Sequence, residues 1–100
     1  MPKKVKELID IIYYTFPAIA VRAGGNYGIR FHDIPGCIAT GSTLDEAIRL
    51  AKEGLALHLR GLEHDGDAIP SPTPLDDIRL EEGEVLCVLD ANMTAARKTA

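Results

Sequence analysis

Between Tyr27 and Ala51 the chain reads YGIRFHDIPGCIATGSTLDEAIRLA, and this stretch dictates a strand, a turn, a second short strand and a helix in direct succession. Tyr27, Ile29 and Phe31 alternate with Gly28, Arg30 and His32, the period of two of a strand with one face in a core and the other wet or in an interface. Asp33-Ile34-Pro35-Gly36 ends that strand as a turn, with the Asp33 carboxylate expected to bond the backbone just ahead and Pro-Gly fixing the geometry. Cys37–Gly41 is a short third strand. Thr43-Leu44-Asp45-Glu46 then reads as a capping box: Thr43 caps the amide three residues on and Glu46 reaches back. Asp45 and Glu46 also suit the positive end of the helix dipole. The stripe Leu44, Ala47, Ile48, Ala51, Leu55, Leu59 and Leu62 predicts a helix to about Leu62. Gly54 weakens it by about 1 kcal/mol relative to alanine, so it is expected where the helix packs closely on the sheet.

The flanks complete one layer. Ile11–Val21 is rich in Ile, Tyr, Phe and Val and predicts a strand over about Tyr14–Arg22. Pro17 lacks a backbone donor, which puts that strand at a sheet edge or at a bulge. Ala23-Gly24-Gly25-Asn26 is a hairpin loop, with Gly and Asn supplying positive φ. Lys3–Ile12 is ambiguous, with Val5, Leu8, Ile9 and Ile12 at helical spacing. After the helix, His64–Asp67 is turn chemistry, Ile69–Pro74 is stiff and extended, and Leu75–Leu80 suits one short helical turn. Val85–Leu89 is an apolar run for a last, buried strand, and Met93–Ala100 carries no core pattern. The order is β-β-β-α-loop-β, an α+β architecture with a domain over residues 1–90 and a tail over 91–100.

One hundred residues make one small domain, for which self-association is unsurprising. A formal net charge of −4 argues against nucleic acid as the main ligand, because phosphate binding calls for a basic face. Acid gathers at Glu63–Asp67 and between Asp76 and Glu84, either a solvated surface or a face for a basic partner. Cys37 and Cys87 fit reduced thiols of a cytoplasmic protein, and no run of about 18 apolar residues suggests a membrane span. Asp33, Asp45 and Glu46 are carboxylates available to a cation, but a turn and a helix start account for them locally. His32, His58 and His64 have no evident nucleophile beside them; His58 flanks the helix stripe, where a half-buried histidine is ordinary. No catalytic residue, metal ligand or cofactor is assigned. Docking by strand addition or surface complementarity has more support.

The stretch from about Tyr14 to Pro72 resembles the N-terminal domain of HicB-type antitoxins. The carriers are FPAIAVRAGGNYGIRFHDIPGC, GSTLDEAIRLAKEGLALHL and DGDAIPSP, in the expected order and spacing. The resemblance implies a partial ribonuclease-H-like fold: a three-stranded antiparallel start, one long helix and a final strand. It implies a HicA-like toxin as partner, a small basic RNA-cleaving protein whose active site the antitoxin blocks, and a homodimer or tetramer. The residues it marks for binding are Asp33, Ile34, Pro35, Gly36, Glu46, Asp65, Gly66, Ile69 and Pro70, with Cys37, Gly41, Thr43 and Ala47 also in the family pattern. Many such antitoxins carry a further DNA-binding domain. Only ten residues follow Asp90 here, so direct DNA binding is not expected of this chain. Two other readings stay open: an orphan oligomeric domain of this type, and a small metal-dependent RNA-processing enzyme.

Overall fold

A computed structural model describes residues 13–93. Strands β1 (Tyr13–Ala23), β2 (Asn26–Phe31) and β3 (Ile38–Gly41) precede helix α1 (Leu44–Asp65), a single 3-10 turn (Leu75–Asp77) and strand β4 (Glu84–Asn92). All pairings are antiparallel and the sheet order is β3-β2-β1-β4. The α+β order read from the sequence is the order observed.

The β1–β2 hairpin turns on Gly24 and Gly25, both at positive φ, with Ala23 opposite Asn26; asparagine is not needed for the left-handed positions. From that register Tyr27, Ile29 and Phe31 fall on the helix side together with Phe16, Ala18 and Ala20 of β1, and Phe16, Ala18, Ile29 and Phe31 are buried. The directly opposed residues of β4 add Cys87, Leu89 and Ala91 to the same face. Ala47, Ala51, Leu55 and Leu59, one stripe of α1, close the core from above.

Pro17 does not mark an edge. Strand β1 lies inside the sheet, with Pro17 opposite Val88 of β4. The Pro17 carbonyl accepts the His32 amide (3.2 Å) just past the end of β2. In an extended strand the N–H and C=O of one residue point the same way, so the missing donor faces the side where β2 has ended and the β4 ladder loses nothing.

The helix entry follows the sequence closely. Thr43 is extended and its hydroxyl accepts the Glu46 amide (3.1 Å), while Glu46 reaches back to the Ser42 amide (2.7 Å) and hydroxyl (3.0 Å), one residue before the cap. Those contacts, the Ser42 amide first, hold the Glu46 carboxyl below the usual carboxylate range. The helix runs three residues past Leu62, so His64 and Asp65 form its last turn rather than a loop. Gly66 (φ 75°) ends it, with Gly66 N–H on the Glu63 carbonyl and Asp67 N–H on the Leu62 carbonyl. Gly54 is exposed with nothing near it, so it makes no close approach to the sheet. Gly41 does: a Cβ there would lie 2.6 Å from the Ala47 nitrogen.

The last strand is longer than the apolar run suggested, reaching Asn92, and Ala91 and Met93 are buried. The core therefore extends past residue 90. The ambiguous segment Lys3–Ile12 and residues 94–100 of the expected tail lie outside the described residues. Ile19 points away from α1 yet is only 2% exposed, and Ile78 is also buried; among the described residues these are the buried apolar side chains outside the helix-side cluster. The chain between α1 and β4 starts near Asp33 and ends beside Val21, traversing the length of the sheet.

Candidate functional site

The turn after β2 is built by three residues with separate tasks. Pro35 and Gly36 (φ 84°) occupy the corners of a tight turn closed by Cys37 N–H on the Ile34 carbonyl (3.1 Å), and only a residue tolerating positive φ suits position 36. Ile34 is buried and anchors the turn in the core, while Pro35 and Gly36 project to solvent. The Phe31 amide on the Cys37 carbonyl (3.2 Å) ties the turn's base.

Asp33 does not serve its own turn. Its carboxylate accepts the Thr73 amide (2.9 Å) and the Thr73 hydroxyl (2.5 Å), forty residues downstream. This half-buried pair fastens the Ile69–Pro74 segment beside the turn, and Ile69 packs on the core cluster. Asp33→Ala leaves the Thr73 amide without its acceptor, so amide exchange at Thr73 is expected to speed up at least tenfold while Ile29 and Leu55 in the core keep their protection. Equal exchange at Thr73 in the two proteins would remove the tether from the account.

Two shallow clefts flank the turn. One, of about 320 Å3, is lined by Gly36, Cys37, Ile38, Gly54, Leu57 and His58, between β3 and the outer side of α1. The other, of about 230 Å3, runs along Arg30, His32, Pro35 and Ile38. Ile38 and Leu57 are each 68% exposed. Together with Pro35 they give the rim of the turn an apolar character. Sequence reasoning did not single out either residue. Leu57 carries a signal that was available, a leucine off the apolar stripe two positions from Leu55; Ile38 carries a weaker one, the outward phase of β3.

The residues marked for binding divide into two groups. Asp33 to Gly36, with Ile69 and Pro70, come together through the Asp33–Thr73 bonds, and Asp65 and Gly66 form the exposed end of α1 that leads into that segment. Glu46 stands apart: Asp65 is nineteen helical steps further on, about 28 Å at 1.5 Å each. Its contacts with Ser42 give it a capping task. His32, His58 and His64 are all exposed, so His58 is not the half-buried residue expected of it. Burial pushes both thiols up, Cys37 in the core and Cys87, whose Sγ lies 3.5 Å from the Ala18 carbonyl, which makes them poor nucleophiles at neutral pH. Among the described residues no three His, Cys, Asp or Glu side chains converge as metal ligands, and no helix is long and apolar enough to cross a membrane.

The fold and the turn define the class: an α+β domain whose described residues lay one helix on a four-stranded antiparallel sheet, the architecture of the N-terminal domain of Burkholderia pseudomallei antitoxin HicB. That crystal structure superposes with a TM-score of 0.63 at 24% identity over 76% of this chain and 95% of its own. The chain belongs to the family described as HicB_like antitoxin of bacterial toxin-antitoxin system, whose sequence profile matches residues 16–100. A chain of the HicA3 and HicB3 toxin-antitoxin complex is 30% identical, with 76% of this chain and 95% of that chain covered and a TM-score of 0.61. An uncharacterized 14.9 kDa protein of Haemophilus phage HP1, from its rep-hol intergenic region, is 29% identical over 82 residues, which is 79% of this chain and 62% of the phage protein.

Proposed function

We propose that this protein is an antitoxin that binds and neutralises a small, basic, RNA-cleaving toxin of the HicA type in the cytoplasm, and that it works as a homodimer or tetramer. The observation that carries the reading is the likeness to the chain of the HicA3 and HicB3 complex, 30% identical and covered over 95% of its length. The charge distribution agrees with it. Asp65, Asp67, Asp76, Asp77, Glu81 and Glu82 are accompanied by a single basic residue, Arg79, on the chain between the end of α1 and the start of β4. Such a face attracts a basic protein and repels RNA, which favours occlusion of a nuclease over assistance to it.

We assign the toxin contact to the Asp33–Ile38 turn with the exposed Leu57, flanked by the Asp65–Pro70 segment. Binding and steric cover are all the function asks of this chain; no step of bond chemistry is assigned to it. The test is co-expression with the small basic protein encoded beside it. Rescue of growth with co-purification of the pair is expected. A toxic neighbour whose toxicity and purification are indifferent to this chain would overturn the antitoxin reading.

A further inference from the structure

The outer edge of β4 has a feature that the toxin contact does not use. Because Pro17 opposes Val88 and turns its carbonyl toward β2, Pro17 and Val88 form a pair without ladder bonds between them. The alternation of an antiparallel ladder then fixes the rest. Val85, Cys87 and Leu89 bond to β1, while Leu86, Val88 and Asp90 turn their N–H and C=O groups outward. Beyond β4 the sheet has no further strand among the described residues. Val85 on one face and Val88 on the other are 62% and 51% exposed, where an edge that only avoids partners would carry charge.

We infer that β4 pairs with β4 of a second copy, antiparallel and centred on Val88, joining two four-stranded sheets into one. This deepens the self-association part of the function proposed above and rests on it. The choice of a second copy follows from the strand's own symmetry. The outward-facing residues Leu86, Val88 and Asp90 are spaced evenly about Val88, so in this register Val88 meets Val88 and each Leu86 meets the other copy's Asp90. Every such pair exchanges two backbone hydrogen bonds. Between them Cys87 meets Leu89, Val85 meets Ala91 and Glu84 meets Asn92, so no two acids stand opposite one another. The carboxylates of the strand are already neutralised from within the same copy: Glu84 by Arg30 at 2.9 Å and Asp90 by Lys52 at 3.2 Å. The pairing therefore brings together exposed valines and outward-facing backbone groups that meet no further strand among the described residues, without opposing like charges.

The register is tested by cysteine cross-linking. Opposed residues of a bonded pair have Cα atoms about 5.5 Å apart, inside the range a disulfide spans of about 4.4–6.8 Å. Val88→Cys is expected to form an intermolecular disulfide under mild oxidation. Val85→Cys, more exposed in the single chain, sits three residues off the axis on each strand, about 20 Å from its own mate at 3.3 Å per residue, and is expected not to. The parent protein, with Cys37 and Cys87 only, is oxidised alongside, and its sedimentation at micromolar concentration is expected to be that of a dimer or larger. Selective cross-linking at position 88 supports the inference. A dimer that links equally well or better through position 85, or through neither, overturns the β4 surface and leaves self-association standing. A strict monomer overturns both.

Discussion

Gly41→Ala is expected to lower the free energy of unfolding by about 2–3 kcal/mol, read as a shift of the urea midpoint at unchanged slope. The added methyl has nowhere to go. It would lie 2.6 Å from the Ala47 nitrogen, 3.0 Å from its Cα and 3.1 Å from the Glu46 carbonyl carbon, and all of these are backbone atoms that no side-chain rotation can clear. Moving the helix away is costly in turn, since Ala47 is fully buried and the Thr43 and Glu46 caps fix the first turn of α1. Gly41 is required for space and not for its φ angle, which is not in the left-handed region. An unchanged midpoint would mean that the first turn of α1 slides freely on β3.

Phe16→Ala is expected to cost more, about 3–5 kcal/mol. Phe16 is buried on the helix face of β1, opposite Leu89, in the cluster shared by β1, β2, β4 and α1. Small domains hold only about 5–15 kcal/mol in total, so the variant should lose its cooperative thermal transition near growth temperature. In the co-expression assay it should fail to rescue at 37 °C and recover in part at 20 °C. A variant that keeps the parent's thermal midpoint would show that the cluster does not depend on this ring.

Where the chain's structure is set by neighbours in sequence, it was legible. The alternation over Tyr27–His32, the Pro35-Gly36 corner and the Thr43/Glu46 cap all act within a few residues, and each stands where the pattern put it. What failed depended on partners the sequence does not show. The missing donor of Pro17 predicts a sheet edge or a bulge because it is costly between two strands, but here the second strand ends beside it. Gly54 and His58 lie beside the Ala51–Leu55–Leu59 stripe by helical period, yet both are exposed because an open cleft toward Gly36, Cys37 and Ile38, and no packed strand, stands opposite them. The turn motif predicts a local task for Asp33, since nothing in it points to a threonine forty residues away. The binding role came from the family pattern, since exposed turns and valines have no signature of their own.

The half-made pair between Pro17 and His32 has a consequence for how the chain finds its alignment. Sliding β2 by two positions along β1 keeps every side chain on its own face, so hydrophobic patterning alone does not forbid it. Such a slide toward the start of β1 would bring Arg30 against Pro17 in a position that demands two hydrogen bonds where only one can form. The proline thus acts as a stop at the far end of the hairpin, while Gly24 and Gly25 set the near end. Clamped from both sides, the ladder settles into one alignment, and the Asp33–Cys37 turn is delivered to the same spot in every folded molecule.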